Sequence, residues 1–389
     1  MAEAIATPDT LAIYVHWPFC RSLCPYCDFN SHVSDAVDHA QWRAALLSEL
    51  AHYAEIAGSR RVTSIFFGGG TPSLMAPDTA AAIVEAVTQH FSLDKAIEIT
   101  LEANPTSTEA ARLAAFADAG INRVSLGIQA LDDAALGFLG RTHSAKEAMA
   151  ALQLAAGRFE RYSFDLIYGR PGQSVELWAD ELERAIALAR GHLSVYQLTI
   201  EQGTPFFLAH ARGDLIVPDD ADSAALFETT QEILTGAGMP AYEISNHAAP
   251  GHACRHNMAY WQYRDYIGIG PGAHGRLTVD GKIHATRQHR APEIWLRRAG
   301  DHGHATQTNA PLEPQTVIAE FAVMGLRIND GIDAGQFRDR TGRALDDIID
   351  PAVSQRLTAG GLIIHDGDGL RATPAGRQRL DAVVAALFA

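Results

Sequence analysis

Residues 11–29 read LAIYVHWPFCRSLCPYCDF, and this stretch decides both the fold and the chemistry. Its first six residues, Leu11–His16, are mostly apolar, β-branched or aromatic, which predicts a buried strand. Cys20, Cys24 and Cys27 follow within eight residues, too closely spaced to form a disulfide framework for a chain of 389 residues. Soft thiolates in this arrangement predict a metal centre in a reducing compartment.

The spacing Cys-x3-Cys-x2-Cys supplies three protein ligands and leaves one metal position open. Structural zinc sites use four protein ligands, whereas a [4Fe-4S] cluster held by three cysteinates exposes one iron to a small molecule. We therefore expect Cys20, Cys24 and Cys27 to bind a [4Fe-4S] cluster. A zinc ion with His16 or His32 as the fourth ligand is the alternative.

Six short β-rich runs, each followed by helical periodicity, cover the first half of the chain. Parallel strands need crossovers of this length, so the pattern predicts an α/β fold with a parallel sheet. The carboxyl ends of such strands open onto one rim, where polar or glycine-rich residues follow nearly every run and predict a site. The runs are Leu11–His16, Val62–Phe67, Ile97–Leu101, Arg123–Ile128, Tyr162–Ile167 and Leu193–Ile200.

Two further segments are expected after this core, which we place at residues 1–205. Residues 206–304 are rich in His, Gly and Pro and predict a loop-rich extension, and Ala305–Pro314 predicts a linker. Residues 305–389 predict a small, mostly helical, winged-helix-like domain. Its basic residues are sparse, which favours a packing or docking module over DNA binding. Its elements are helices over Thr316–Ile328 and Pro351–Leu357, strands over Leu362–His365 and Leu370–Thr373, and a final helix.

Charge and hydropathy argue against two classes of protein. Lys and Arg number 31 against 46 Asp and Glu, and the resulting charge of -15 would repel a phosphate backbone, so we expect no nucleic-acid partner. No apolar stretch approaches the roughly 18 to 20 residues that span a bilayer. We expect a cytoplasmic protein, with contact to a membrane surface left open.

A second motif, Gly68-Gly69-Gly70-Thr71-Pro72, stands at the end of the second predicted strand. Glycine lets a backbone approach a ligand closely because it has no Cβ. Together with the cysteine triplet and Tyr26 before its third cysteine, this motif resembles the radical S-adenosylmethionine (SAM) superfamily. The resemblance implies a partial (β/α)6 barrel and a cluster whose open iron is chelated by the amino and carboxylate groups of SAM.

Longer phrases resemble the oxygen-independent coproporphyrinogen oxidase group of that superfamily. These phrases are residues 13–20 (IYVHWPFC), 67–72 (FGGGTP), 101–105 (LEANP), 125–129 (SLGIQ) and 165–172 (DLIYGRPG). The resemblance implies that SAM contacts Tyr14, Tyr26, Gly69, Gly70, Thr71, Glu102, Gln129, Arg141 and Asp165. The resemblance also implies a role for each group. Arg141 pairs with the carboxylate of SAM, and Glu102, Asp165 and Gln129 bind its amino group or ribose. The stretch Gly268–Gly275 lies beside its adenosine.

Two features separate this chain from the oxidase. Phe29 stands where the oxidase has a fourth cysteine, and an N-terminal extension precedes the motif in the oxidase. Residues 256–261 (HNMAYW) match the HNxxYW phrase of the HemW haem chaperones. The resemblance implies that His256 ligates haem iron beside Tyr260 and Trp261. His252 or Cys254 could serve instead, and a capped turn with buried aromatics is the structural alternative.

The resemblance implies an iron-sulfur- and SAM-binding haem chaperone that delivers haem to proteins such as respiratory enzymes. Its cluster would have a structural or regulatory role and could promote a homodimer, and no residue is assigned to catalysis. The alternative is an oxygen-independent coproporphyrinogen III oxidase of porphyrin metabolism, which would cleave SAM to a 5'-deoxyadenosyl radical. The chaperone interpretation predicts a radical SAM cofactor site without coproporphyrinogen oxidase activity, whereas the alternative predicts an enzyme.

Overall fold

The computed structural model describes residues 5–34 and 36–388, so residues 1–4, 35 and 389 of the predicted segments lie outside it. In residues 5–205 the strands are β1 Thr10–Trp17, β2 Phe19–Cys20, β3 His32–Val33, β4 Arg61–Gly69, β5 Ser92–Ala103, β6 Arg123–Gln129, β7 Arg161–Tyr168 and β8 His192–Gln197. The helices are α1 His39–Ala57, α2 Pro77–His90, α3 Ser107–Ala110, α4 Leu113–Asp118, α5 Asp133–Phe138, α6 Ala145–Arg158 and α7 Val175–Leu188, with a 3₁₀ turn at Pro72–Leu74.

Strands β1, β4, β5, β6, β7 and β8 are parallel and neighbour each other in that order, which confirms the predicted α/β core. Their residues are buried on both faces, as the near-continuous apolar pattern of β1 shows. Helix α1 covers the outer face with Trp42, Leu46, Leu50 and Tyr53. The sheet is open among the described residues, since its two end strands do not pair with each other, and this is the partial barrel expected.

Polar side chains line the inside of the sheet below the rim. Arg161 Nη1 lies 2.7 Å from Glu98 Oε2, and Arg123 Nη2 donates to Ser163 Oγ at 2.8 Å. Ser125 and Ser163 are hydrogen-bonded at 2.9 Å. These contacts form a polar network inside the sheet.

Residues 206–304 form regular structure rather than the loop-rich extension that their composition predicted. The elements after β8 are α8 Pro205–Ala211, α9 Asp220–Gly236, β9 Asn246–Ala248, α10 Arg255–Trp261, β10 Tyr266–Ile269, β11 His274–Val279, β12 Lys282–Gln288, α11 Pro292–His302 and β13 Thr306–Pro311. Strand β9 extends the sheet antiparallel to β8, and β10 pairs in parallel with β1. Strands β11–β13 then continue the sheet as an antiparallel ribbon.

The prediction of a linker over Ala305–Pro314 is therefore wrong, because most of this stretch forms strand β13. Side chains of Thr306–Pro311 are mainly exposed at the edge of the sheet, so the strand lacks the apolar alternation by which strands are recognised.

The C-terminal domain contains α12 Pro314–Gly325, β14 Ile332–Asp333, α13 Ala334–Thr341, α14 Pro351–Ala359, β15 Ile363–Asp366, β16 Gly369–Ala372, α15 Pro374–Arg377 and α16 Leu380–Phe388. Its three strands form a small sheet in the order β14-β16-β15. The domain packs on the barrel through buried charges: Asp265 pairs with Arg60 at 2.5 Å and with Arg340 at 2.7 Å. None of the described helices is long and apolar enough to span a membrane.

Candidate functional site

A cavity of about 670 Å³ opens at the carboxyl ends of the parallel strands. This volume is within the range of small-molecule sites. It collects most residues predicted for the cluster and for SAM, although they are spread over more than 140 positions of the sequence. They are Cys20, Cys24, Tyr26, Cys27, Gly69, Gly70, Thr71, Glu102, Gln129, Arg141 and Asp165. We refer to it as the cluster cavity.

The three cysteines are free thiols at the wall of this cavity. Thr71 Oγ1 donates to Cys20 Sγ at 3.3 Å, and Arg141 Nη1 donates to Cys24 Sγ at 3.2 Å. Burial raises the pKa of the Cys20 and Cys27 thiols, so ligation must release protons. Three thiols facing one cavity, two of them with donors aimed at sulfur, fit a [4Fe-4S] cluster.

The zinc alternative lacks a free fourth ligand at His16. The Nδ1 atom of His16 is 3.0 Å from the Tyr14 hydroxyl, and its Nε2 atom is 2.9 Å from the Asn30 carbonyl oxygen. Nε2 of His32 lies 3.3 Å from Asn30 Oδ1. Within residues 5–34 and 36–388, no three His, Cys, Asp or Glu side chains are grouped to hold a single metal ion.

The glycines after β4 are required by the cysteine loop itself. Gly69 has φ +114°, and a Cβ there would lie 2.7 Å from His16 Cε1. A Cβ on Gly70 would lie 2.9 Å from the Phe19 carbonyl oxygen and 3.0 Å from Cys20 Sγ. The sequence motif therefore lets β4 end against the thiols, besides leaving backbone groups open to a ligand.

Two half-buried carboxyl groups, Glu102 and Asp165, face the same cavity. Burial and the charge of Asp165 raise the pKa of Glu102 to about 8, and burial raises that of Asp165 to about 6. Among the described residues neither acid forms a salt bridge. A cationic ligand would favour their ionised forms, and the amino and sulfonium groups of SAM have that charge.

Gln129 and Arg141 complete this wall. Gln129 has φ +74° at the end of β6, a strained conformation that aims its side chain at the rim. Arg141 Nη2 donates to the Gly127 carbonyl oxygen at 2.9 Å and also to Asn104 Oδ1. Its Nε atom is buried without a partner in the described chain. Arg141 therefore positions Cys24 and the end of β6, while its predicted pairing with the SAM carboxylate stays a prediction.

Tyr14 lies not in the cluster cavity but in a second, adjoining one of about 380 Å³. We call this the tyrosine cavity. It shares Phe29, Gly69 and Glu102 with the cluster cavity, so the two are neighbours. The stretch Gly268–Gly275 contributes to the tyrosine cavity and not to the cluster cavity. The remaining lining residues are His16, Asn30, Tyr260, Tyr266, Gly272, Ala273 and His274.

His256 is not open to a haem iron in this structure. Its side chain is buried near the start of α10, with Nδ1 3.0 Å from Ser64 Oγ and Nε2 2.9 Å from the Tyr260 hydroxyl. Burial lowers the pKa of His256 to about 3. Both ring nitrogens are occupied, so the imidazole holds Tyr260 in the wall of the tyrosine cavity.

The two other predicted haem ligands are also outside both cavities. Cys254 is buried and donates to Glu98 Oε1 at 3.4 Å, and burial raises the pKa of its thiol to about 12. His252 packs against Gly191, where a Cβ would lie 2.8 Å from its Nδ1 atom. Of the HNxxYW phrase, Tyr260 lines the tyrosine cavity.

Sequence reasoning missed Arg327, which comes from the C-terminal domain to line the cluster cavity. Its guanidinium is 4.8 Å from the centre of the Trp261 ring, and Nη2 is 3.5 Å from Glu243 Oε2. The residue lies just beyond α12, and no local pattern in the sequence indicates that this segment returns to the rim.

Comparison with known proteins agrees with this geometry. A model of the radical SAM superfamily matches residues 14–210, and a model of the HemN C-terminal domain matches residues 312–379. The chain is 38% identical to heme chaperone HemW of Escherichia coli, over 90% of this chain and 91% of that protein. It is 40% identical to radical S-adenosyl methionine domain-containing protein 1, mitochondrial, of Bos taurus, over 97% and 87% of the two chains.

A solved structure shows the same fold at lower identity. The structure of coproporphyrinogen III oxidase (HemN) from Escherichia coli, described as a radical SAM enzyme, superposes with a TM-score of 0.80 and 22% identity. The match covers 97% of this chain and 90% of that one. The chain thus belongs to the radical SAM superfamily and, within it, to the family of the HemW heme chaperones.

Proposed function

We propose that this protein binds haem and delivers it to haem-requiring apoproteins, including respiratory enzymes. The observation that carries the proposal is its 38% identity, over 90% of the chain, to a protein named for haem chaperone activity. The tyrosine cavity supports it, because aromatic walls beside the rim suit a flat, apolar ligand that must later leave.

The cluster cavity would hold the two resident cofactors. Cys20, Cys24 and Cys27 would bind a [4Fe-4S] cluster, and Thr71 and Arg141 would stabilise their thiolates by donating hydrogen bonds to sulfur. SAM would occupy the adjoining space, where Glu102 and Asp165 meet its positive charges. In radical SAM proteins these cofactors supply one-electron chemistry when bound.

Homodimerisation and docking to recipients would use the cluster loop. Leu23, Phe29 and Val33 are apolar and are 58%, 65% and 53% exposed. Exposed apolar side chains on one loop favour contact with another protein surface. Since this loop carries the thiols, binding of the cluster would order the same surface. We place the protein in the cytoplasm, where thiols stay reduced.

The identity of one residue, Phe29, argues against the alternative function, the oxidative decarboxylation of coproporphyrinogen III. Phe29 is exposed at the boundary of the two cavities, where the oxidase group carries a cysteine. Its aromatic ring supplies apolar contact and no thiol. The resemblance of the folds does not by itself transfer the reaction.

One anaerobic preparation tests the proposal. After cluster reconstitution, haem is titrated while the Soret band is recorded, and the loaded protein is then mixed with a haem-depleted acceptor protein. We expect one bound haem and transfer to the acceptor. Parallel assays measure 5'-deoxyadenosine and protoporphyrinogen. Multiple turnovers of coproporphyrinogen III would establish the oxidase instead, and absence of haem binding would refute the chaperone.

A further inference from the structure

Asn104 lies between the two side chains that donate hydrogen bonds to the cysteine thiols. It follows β5 directly and lines the cluster cavity. Its Nδ2 atom donates to Thr71 Oγ1 at 3.2 Å, and its Oδ1 atom accepts from Arg141 Nη2. Thr71 Oγ1 in turn donates to Cys20 Sγ at 3.3 Å. Arg141 Nη1 donates to Cys24 Sγ at 3.2 Å. One amide therefore connects the donors of two thiols.

The chemistry of these groups fixes the direction of each hydrogen bond. A guanidinium has N–H donors and no acceptor, so the oxygen of the Asn104 amide must face Arg141. The NH2 group of the amide then faces Thr71 and occupies a lone pair of its hydroxyl oxygen. The hydroxyl proton of Thr71 is therefore directed to Cys20 Sγ. Hydrogen bonds in such a chain polarise one another, so the charge of Arg141 reaches the sulfur of Cys20 through Asn104 and Thr71.

The backbone of Asn104 is held in place from outside this chain of hydrogen bonds. Its N–H donates to Glu109 Oε2 at 3.2 Å, and Pro105 restricts the preceding residue to extended conformations. The side chain of Glu109 is buried, and its other oxygen accepts from Thr106 Oγ1 at 3.2 Å. The amide is thus presented to its two partners from a fixed point at the rim.

Hydrogen bonds to sulfur influence the reduction potential of an iron-sulfur cluster. Reduction adds one electron to the cluster, and a donor beside a sulfur atom stabilises the added negative charge. Each such hydrogen bond therefore raises the potential, provided that its donor stays aligned with the sulfur. Thr71 and Arg141 are the donors here, and Asn104 is the contact that they share.

We propose that Asn104 is a positioning residue for the iron-sulfur cluster. By coupling Arg141 to Thr71, it aligns the hydrogen bonds that both side chains donate to cysteine sulfur, and it thereby raises the reduction potential of the cluster. This inference rests on the proposed [4Fe-4S] cluster and does not depend on haem delivery.

The reduction potentials of variants test this role. The full chain is reconstituted anaerobically and titrated with titanium(III) citrate in the absence of SAM, while the electron paramagnetic resonance signal of the reduced cluster is recorded. Asn104→Leu, which has a similar shape and no polar group, should lower the potential. Asn104→Asp should lower it further, because a carboxylate has only acceptors and draws the Thr71 hydroxyl away from Cys20. Asn122→Asp is the matched control, since it adds the same charge at an exposed position before the amino end of β6 and should leave the potential unchanged.

A double-mutant cycle shows whether Asn104 acts through Thr71. Thr71→Val alone should lower the potential, and Asn104→Leu added to Thr71→Val should then cause a smaller shift than it causes in wild type. Fully additive shifts would overturn the coupling. Should Asn104→Leu not retain iron, Asn104→Asp decides, because it keeps the shape of the side chain and the acceptor for Arg141.

The outcomes separate this inference from the proposed cluster. If wild type and the Asn104 variants hold four irons per chain at the same potential, the positioning role is overturned while the cluster stands. If wild type assembles no cluster, both are overturned. A lower potential in the Asn104 variants, with the wild-type potential in Asn122→Asp, would support the role of the amide.

Discussion

The Nε2 atom of His256 lies 2.9 Å from the hydroxyl of Tyr260, one helical turn further along α10. The same ring is 3.0 Å from Ser64 on β4 through Nδ1. This imidazole therefore joins the helix of the HNxxYW phrase to the barrel and aims Tyr260 at the cavity. Its role in the structure is to bridge two elements.

His256→Ala should consequently reduce stability first. The substitution leaves Ser64 and Tyr260 without a partner and creates a space in the buried barrel, which should cost about 2–4 kcal/mol of unfolding free energy. Tyr260→Phe, which loses the hydroxyl alone, should cost about 1 kcal/mol. Urea denaturation of both variants measures this. A wild-type midpoint for His256→Ala would contradict the bridging role.

Each cysteine of the triplet should be necessary for the cluster. Cys20→Ser, Cys24→Ser and Cys27→Ser should each abolish the iron-sulfur absorption after anaerobic reconstitution, because each removes one of three thiolate ligands. Cys254→Ser is the matched control, since Cys254 is buried against Glu98 away from the cavity. Four irons per chain in a triplet variant, or stoichiometric zinc in wild type, would argue against the cluster.

Gly70→Ala should prevent cluster incorporation through a single methyl group. Its Cβ would lie 2.9 Å from the Phe19 carbonyl oxygen and 3.0 Å from Cys20 Sγ, so the loop must shift. Gly157→Ala in α6 is the control, because nothing lies within 4 Å of its Cβ position and alanine favours a helix by about 1 kcal/mol. We expect iron loss in the first variant and a higher melting temperature in the second. Full iron content in Gly70→Ala would show that the loop carrying Cys20 can shift without loss of the cluster.

Glu49 should be a strong determinant of stability. Its carboxylate accepts hydrogen bonds from Gly270 N at 2.8 Å, Trp295 Nε1 at 2.9 Å and Ala305 N at 2.8 Å, and so ties α1 to the ribbon that extends the sheet. Glu49→Ala leaves three buried donors unpaired, at a cost of about 3 kcal/mol or more. Glu55→Ala on the exposed face of α1 should change stability by less than about 0.5 kcal/mol. Equal denaturation midpoints for Glu49→Ala and Glu55→Ala would contradict this prediction.

Acid should destabilise the protein through buried neutral histidines. Burial lowers the pKa of His143 to about 4 and that of His247 to about 3, below the unfolded value of 6.5. As the pH falls below 6.5, these two histidines bind protons in the unfolded chain but stay neutral in the folded chain. Stability is therefore present above pH 6.5 and is lost toward pH 4, by about 1.4 kcal/mol per pH unit for each group.

Replacing one histidine measures its contribution to the pH dependence of the unfolding free energy. His247→Gln should flatten the dependence of unfolding free energy on pH between 6.5 and 4 by the contribution of one group. Identical slopes for wild type and His247→Gln would show that His247 titrates alike in both states.

The parallel core was accessible to sequence reasoning because its strands are long apolar runs that end in recognisable motifs. The triplet Cys20, Cys24 and Cys27 and the motif Gly68–Pro72 belong to that class of signal, and the structure brings them to one cavity. Strand β13 was not accessible, because its side chains are exposed and carry no periodicity. His256 shows a different limit: the HNxxYW phrase identifies a family, but nothing in it indicates that both nitrogens of this imidazole are hydrogen-bonded within the fold, and its ligation of haem stays a prediction.

Strand β1 has neighbours that are far apart in the chain. Its partner on one side is β4, at Arg61–Gly69, and on the other side β10, at Tyr266–Ile269. During synthesis one edge of the strand that precedes the thiols must therefore stay unpaired until residue 266 has left the ribosome. An apolar strand with an open edge is a template for intermolecular pairing. Chains that stop after the radical SAM segment would thus be expected to aggregate, because β1 keeps an open edge until β10 has been synthesised.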